Sequence, residues 1–69
     1  MVEVFKTNVD DTELVKRLTS KLLLRFPHCR INFDLHDCDK ILRIEGHSFC
    51  NEEIIAIMNG DGYQCQALE

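Results

Sequence analysis

The sequence predicts an α+β domain, a four-stranded antiparallel sheet with two helices on one face. Three observations predict it. Apolar and polar residues alternate in four short stretches, the period of half-buried strands. Two longer stretches repeat apolar residues at three- and four-residue spacing, the period of amphipathic helices. The order is strand, helix, strand, strand, helix, strand, so each half is a split βαβ unit.

Residues 2–7 read as the first strand. Val2, Val4 and Lys6 alternate there with Glu3, Phe5 and Thr7, and β-branched and aromatic types dominate. Asn8 to Thr12 form a loop with helix-start signals. Asp10 and Glu13 have the spacing of a capping box, and Asp11 or Thr12 could also cap. Acids at positions 10, 11 and 13 suit the positive end of a helix dipole. Leu14, Leu18 and Leu22, with Val15 and Phe26, form the helix stripe. Leu23 and Leu24 widen it, which predicts a well-covered helix. Lys16, Arg17, Lys21 and Arg25 take the other side, and Pro27 stops the helix.

Ile31, Phe33 and Leu35 alternate with Arg30, Asn32, Asp34 and His36, a half-buried strand. Residues 36–40 are the turn. The next strand, 41–45, has Leu42 and Ile44 as its inward pair, and Gly46 ends it. Adjacent strands with a short polar turn make a hairpin. One pairing Leu35 with Leu42 and Phe33 with Ile44 would set Cys29 opposite about Ser48. After a connector, Cys50 or Asn51 caps the second helix, with Glu52 and Glu53 in its first turn. Ile54, Ile57 and Met58 form its inward stripe, with Ile55 and Ala56 at the margin. Asn59-Gly60-Asp61-Gly62 ends it, and residues 63–67 alternate as the last strand. Right-handed crossovers would place both helices on one face of the sheet, the ferredoxin-like arrangement.

Sixty-nine residues make one domain, 1–69, near the lower size limit for independent folding. A hydrophobic share of 45% argues for one core and against disorder. Net charge is -4, and no run of lysine and arginine exceeds a pair, so neither nucleic acid nor a membrane is the expected partner. No apolar run reaches membrane-spanning length. Met1-Val2-Glu3-Val4 lacks the basic start and apolar stretch of a secretory signal, which predicts a cytoplasmic chain. The four cysteines, Cys29, Cys38, Cys50 and Cys65, include no C-x-x-C pair. They read as reduced thiols acting mostly as small apolar residues.

The chain resembles the heavy-metal-associated domain family, the fold of copper chaperones and metal-pump N-terminal repeats. The resemblance covers nearly the whole length and is best in the C-terminal half. It rests on residues 31–35, on Lys40-Ile41-Leu42-Arg43-Ile44-Glu45-Gly46, on residues 51–57 and on Gly62-Tyr63. The family's defining motif, M-x-C-x-x-C, opens its first helix. Aligning the helix stripe puts the two metal positions at about Asn8 and Asp11, so the resemblance implies a metal loop without its ligands. An amide and a carboxylate are poor substitutes for thiolates around univalent copper. Tyr63 matches the family residue that flanks the loop. The resemblance also implies that partners dock at this end, which would present Asn8, Asp10, Asp11, Cys38 and Tyr63.

Asn8, Asp10 and Asp11 could offer oxygens to a hard cation, but three residues fall short of the shell that calcium or magnesium needs. Helix capping is the favoured reading. A second candidate set is His28, Cys29, His47 and Cys50, which the topology brings to the opposite end. Two histidines and two cysteines are zinc-type ligands. However, alternation turns His28 outward and Cys29 inward, and Cys50 is also a plausible helix cap. A Cys29–Cys50 bridge does not suit a reducing cytoplasm. Cys38 sits on an acidic turn with His36, where carboxylates dull a thiol as a nucleophile. Cys65 is expected to be packed. No nucleophile–base–orienter set emerges, and Gly60-x-Gly62 is no phosphate loop. Acylphosphatases share the fold class, but their anion-binding loop and arginine arrangement do not occur here. The expectation is a non-enzymatic binding domain without a cofactor, a protein-interaction or degenerate metal-trafficking module that engages a protein partner or associates with itself through an exposed edge strand. The alternative is a metal-binding protein that holds zinc or copper through non-standard ligands.

Overall fold

In the computed structural model, which describes residues 1–68, six elements follow one another. They are β1 (Val2–Thr7), α1 (Thr12–Arg25), β2 (Arg30–Asp34), β3 (Ile41–Glu45), α2 (Asn51–Gly60) and β4 (Cys65–Leu68). The sheet order is β2-β3-β1-β4, and every neighbouring pair is antiparallel. β1 and β2 therefore run the same way with β3 between them, as β3 and β4 do with β1 between them. This leaves β2 and β4 as the two edges.

The registers align one apolar row across all four strands: Phe33, Leu42, Phe5 and Ala67. A second row joins Ile31 to Ile44. Leu18 and Leu22 of α1 and Ile54 and Met58 of α2 share one buried cluster with Phe5, Leu42 and Ile44. Each such fully buried side chain stabilises the fold by roughly 1.5–3 kcal/mol relative to exposure. One cluster fed by both helices and both central strands is why so short a chain can hold a single core.

Asp11 is the residue that caps α1. Its backbone is extended, and its Oδ1 accepts from the Glu13 N–H at 2.7 Å. At the other end the Phe26 N–H donates to the Leu22 carbonyl, and Pro27 cannot continue the ladder. α2 starts after Cys50, whose side chain makes no capping bond. Gly62, at φ 91, provides the left-handed turn after α2.

Several expectations need correction. Leu23 and Leu24 do not widen the buried stripe: they are 38% and 86% exposed. Successive helical residues step about 100° around the axis, so neighbours of the buried Leu22 rotate away from the sheet. The hairpin register is shifted by two residues, pairing Phe33 with Leu42 and Ile31 with Ile44. Leu35 belongs to the turn, where the Asp34 carboxylate accepts from the His36 N–H at 3.1 Å and ends the strand. Cys29 accordingly faces Gly46 and not Ser48. The last strand runs from Cys65 to Leu68. Tyr63 and Gln64 are drawn off it, because the Tyr63 N–H donates back to Met58 and that of Gln64 to Asn8. Of the α2 stripe, Ile54 and Met58 are buried, whereas Ile57 is half-buried and Ala56 is exposed. No helix among the described residues is long and apolar enough to cross a membrane.

Candidate functional site

Three segments meet at one end of the sheet: the loop after β1, the β2–β3 turn and the run from Gly62 into β4. Hydrogen bonds tie them together. The Thr7 N–H donates to the Asp39 carbonyl at 3.1 Å, and the Thr7 hydroxyl donates to the Lys40 carbonyl at 2.6 Å. That hydroxyl also accepts from the Val9 N–H at 3.2 Å. The Asn8 Oδ1 accepts from the Gln64 N–H at 2.9 Å, which links the loop to the approach of β4. Val9 is fully buried and anchors the loop in the core. Sequence reasoning missed this anchor, although Val9 is the lone apolar residue of a polar loop.

Both positions at which the resemblance would place a metal ligand are therefore committed to the backbone. Asn8 holds Gln64, and Asp11 caps α1. Neither offers the soft donor that univalent copper needs, so the residues present do not fit that ion. Around them the surface is acidic. Asp10, Asp11, Asp34 and Asp37 are exposed, while Asp39 forms an ion pair with Lys6 at 3.6 Å. Cys38 is exposed between Asp37 and Asp39, and Tyr63 is half-buried. One ligand atom each from Asp37, Cys38 and Asp39 lies within 4.8 Å of the others. Local bonds account for this closeness, since the Asp37 carboxylate accepts from the Asp39 N–H at 2.8 Å. Lys40, at φ 48, completes the turn and reaches the Leu35 carbonyl with its ammonium.

The opposite end holds the second candidate set. His28, Cys29, His47 and Cys50 all line one open cleft of about 790 Å³ between the end of α1 and the start of α2. Arg25 and Glu53 form an ion pair at its side, and the Arg25 guanidinium lies over the Phe26 ring. The four residues are brought to one end but not into one ligand shell. Among the described residues, no three of their ligand atoms gather within 4.8 Å. Cys29 is buried in the core cluster, whereas His28, His47 and Cys50 are exposed.

All four cysteines are free thiols. Cys29 and Cys65 act as packing residues, but the exposure of Cys38 and Cys50 corrects the expectation that most would. Burial pushes the Cys65 thiol up to about 11, so it stays protonated and weakly nucleophilic at neutral pH. No buried side-chain nitrogen or oxygen among the described residues lacks a hydrogen-bond partner.

Comparisons with family models, curated proteins and solved structures found no match for this chain.

Proposed function

We propose that this chain is a non-catalytic protein-interaction module on a ferredoxin-like, heavy-metal-associated-type scaffold, with the β1–α1 loop serving as structure and docking surface. The sheet order β2-β3-β1-β4 supports the scaffold reading, because two interleaved split βαβ units produce that order. One observation carries the functional reading. The two positions at which the resemblance calls for a metal ligand, Asn8 and Asp11, hold backbone N–H groups of Gln64 and Glu13. The loop is thereby fixed without a metal, and its surroundings present carboxylates to solvent. A partner fitting this end presents a basic surface, because opposite charge speeds encounter and fixes orientation.

The test uses the whole chain as bait, with amine cross-linking to map contacts through Lys6 and Lys40. Asp10→Lys combined with Cys38→Arg offsets much of the acidic charge of this surface without touching the bonds of Asn8 or Asp11. The expected result is a salt-sensitive partner cross-linked at this end, with affinity weakened about tenfold or more by the double variant. Undiminished binding, or cross-links confined to the other end, overturns the reading. Self-association through β2 or β4, which carry no lysine, would appear in light scattering as a dimer that the double variant leaves intact, and it too would overturn docking at the loop end.

A further inference from the structure

Beyond its last pair the β2–β3 ladder gives way to a turn before β2 and a bend after β3, yet the two segments stay close. Arg30 stands opposite Glu45. The residues next in line are Cys29 with Gly46, and then His28, in the turn before β2, with His47, in the bend after β3. The first of these is observed as a close approach: a Cβ placed on Gly46 would lie 2.6 Å from the Cys29 Sγ. The second is supported by the surface, since His28 and His47 together line both the large cleft and a smaller adjoining one of about 270 Å³. Glu45 lines that smaller cleft with them.

We propose that His28 and His47 form a zinc(II) site at this end, with the Glu45 carboxylate as third protein ligand and water as the fourth. Imidazole and carboxylate are ordinary zinc donors, and three protein ligands plus water is a recurring zinc arrangement. Glu45 ends β3 and His47 follows two residues later in the bend beyond Gly46, and both line the smaller cleft. The three ligand atoms do not lie within 4.8 Å of one another as they stand, and both imidazoles are exposed, so binding gathers them by side-chain rotation. Glu45 takes part in no ion pair among the described residues, although Arg30 stands opposite it. Cys29 is excluded because its sulfur is pressed against Gly46 within the core. Cys50 lines the larger cleft alone of the two. The site is distinct from the acidic loop end, so its failure leaves the proposed docking function standing.

The experiment is a zinc(II) titration of the whole chain with its thiols kept reduced, followed by calorimetry and by the imidazole resonances. The expected result is one zinc per chain, with the resonances of His28 and His47 shifting and that of His36 unmoved. His28→Gln and His47→Gln should each weaken binding by about tenfold or more, since even outer partners of a zinc ligand matter at that scale. Cys50→Ser should leave affinity unchanged. Both histidines are exposed, and circular dichroism of each variant checks that the fold persists. No binding up to about 100 μM zinc would overturn the proposal. So would undiminished binding by the double histidine variant, a shift confined to His36, loss of binding in Cys50→Ser, or one zinc shared between two chains.

Discussion

Gly46 is glycine because Cys29 occupies the space that a side chain would need. The ideal Cβ position lies 2.6 Å from the Cys29 Sγ and 3.4 Å from its Cα and Cβ. The Gly46→Ala change should therefore destabilise the chain by about 1–3 kcal/mol through overpacking. In a Cys29→Ala background the sulfur is gone and most of that cost should vanish. Chemical denaturation of the two single variants and the double variant measures the coupling. Equal costs in both backgrounds would show that the contact does not limit position 46. The same local logic governs Asn8 and Asp11. The helix-start role of Asp11 was among the readings its sequence context offers, because acids and Thr12 precede an apolar period. The role of Asn8 was not readable, since its partner Gln64 lies 56 positions away and no local pattern announces it.

At the scale of elements, α1 shows where periodicity succeeds and where it misleads. Leu14, Val15, Leu18 and Leu22 face the core or its margin, as their spacing predicts. Leu23 and Leu24 are apolar without being buried, because composition does not tell how far the sheet wraps around a helix. Leu22→Ala should cost about 2–5 kcal/mol, through lost burial and the cavity left behind. Leu24→Ala should change stability by about 0.5 kcal/mol or less. Urea denaturation of both variants decides this, and comparable losses would place Leu24 in the core. The hairpin shows a second limit. Inward and outward faces of β2 and β3 were legible from alternation, but a two-residue shift preserves alternation and so leaves the register open. The Asp34–His36 bond sits where β2 ends, and the observed pairing sets Phe33 against Leu42.

At the scale of the molecule, the order and kind of all six elements were legible, since each has a distinct period and a breaker at its end. The proposed docking end was less so. Which segments meet depends on long-range bonds, such as Thr7 to Asp39 and Lys40. The far-end set of His28, Cys29, His47 and Cys50 was legible as a neighbourhood. Alternation already set Cys29 inward and His28 outward, as the structure has them. The whole chain thus has two ends of different chemistry joined by one core: carboxylates at the loop end, imidazoles at the other.

Under the proposed scaffold reading, Asn8 and Asp11 stand where the resembled copper-binding family holds its ligands, and both bond the backbone instead. The most direct test is a copper(I) titration of the reduced wild-type chain and of the Asn8→Cys/Asp11→Cys double variant, read by backbone amide shifts of residues 6–12. Replacing the Asp11 cap should cost about 0.5–2 kcal/mol, so folding of the variant is verified by circular dichroism first. The account predicts that copper(I) leaves the wild-type loop unmoved and forms a tight one-to-one complex at the loop of the double variant. A tight copper(I) complex at the wild-type loop, or none at the loop of a folded double variant, would contradict it.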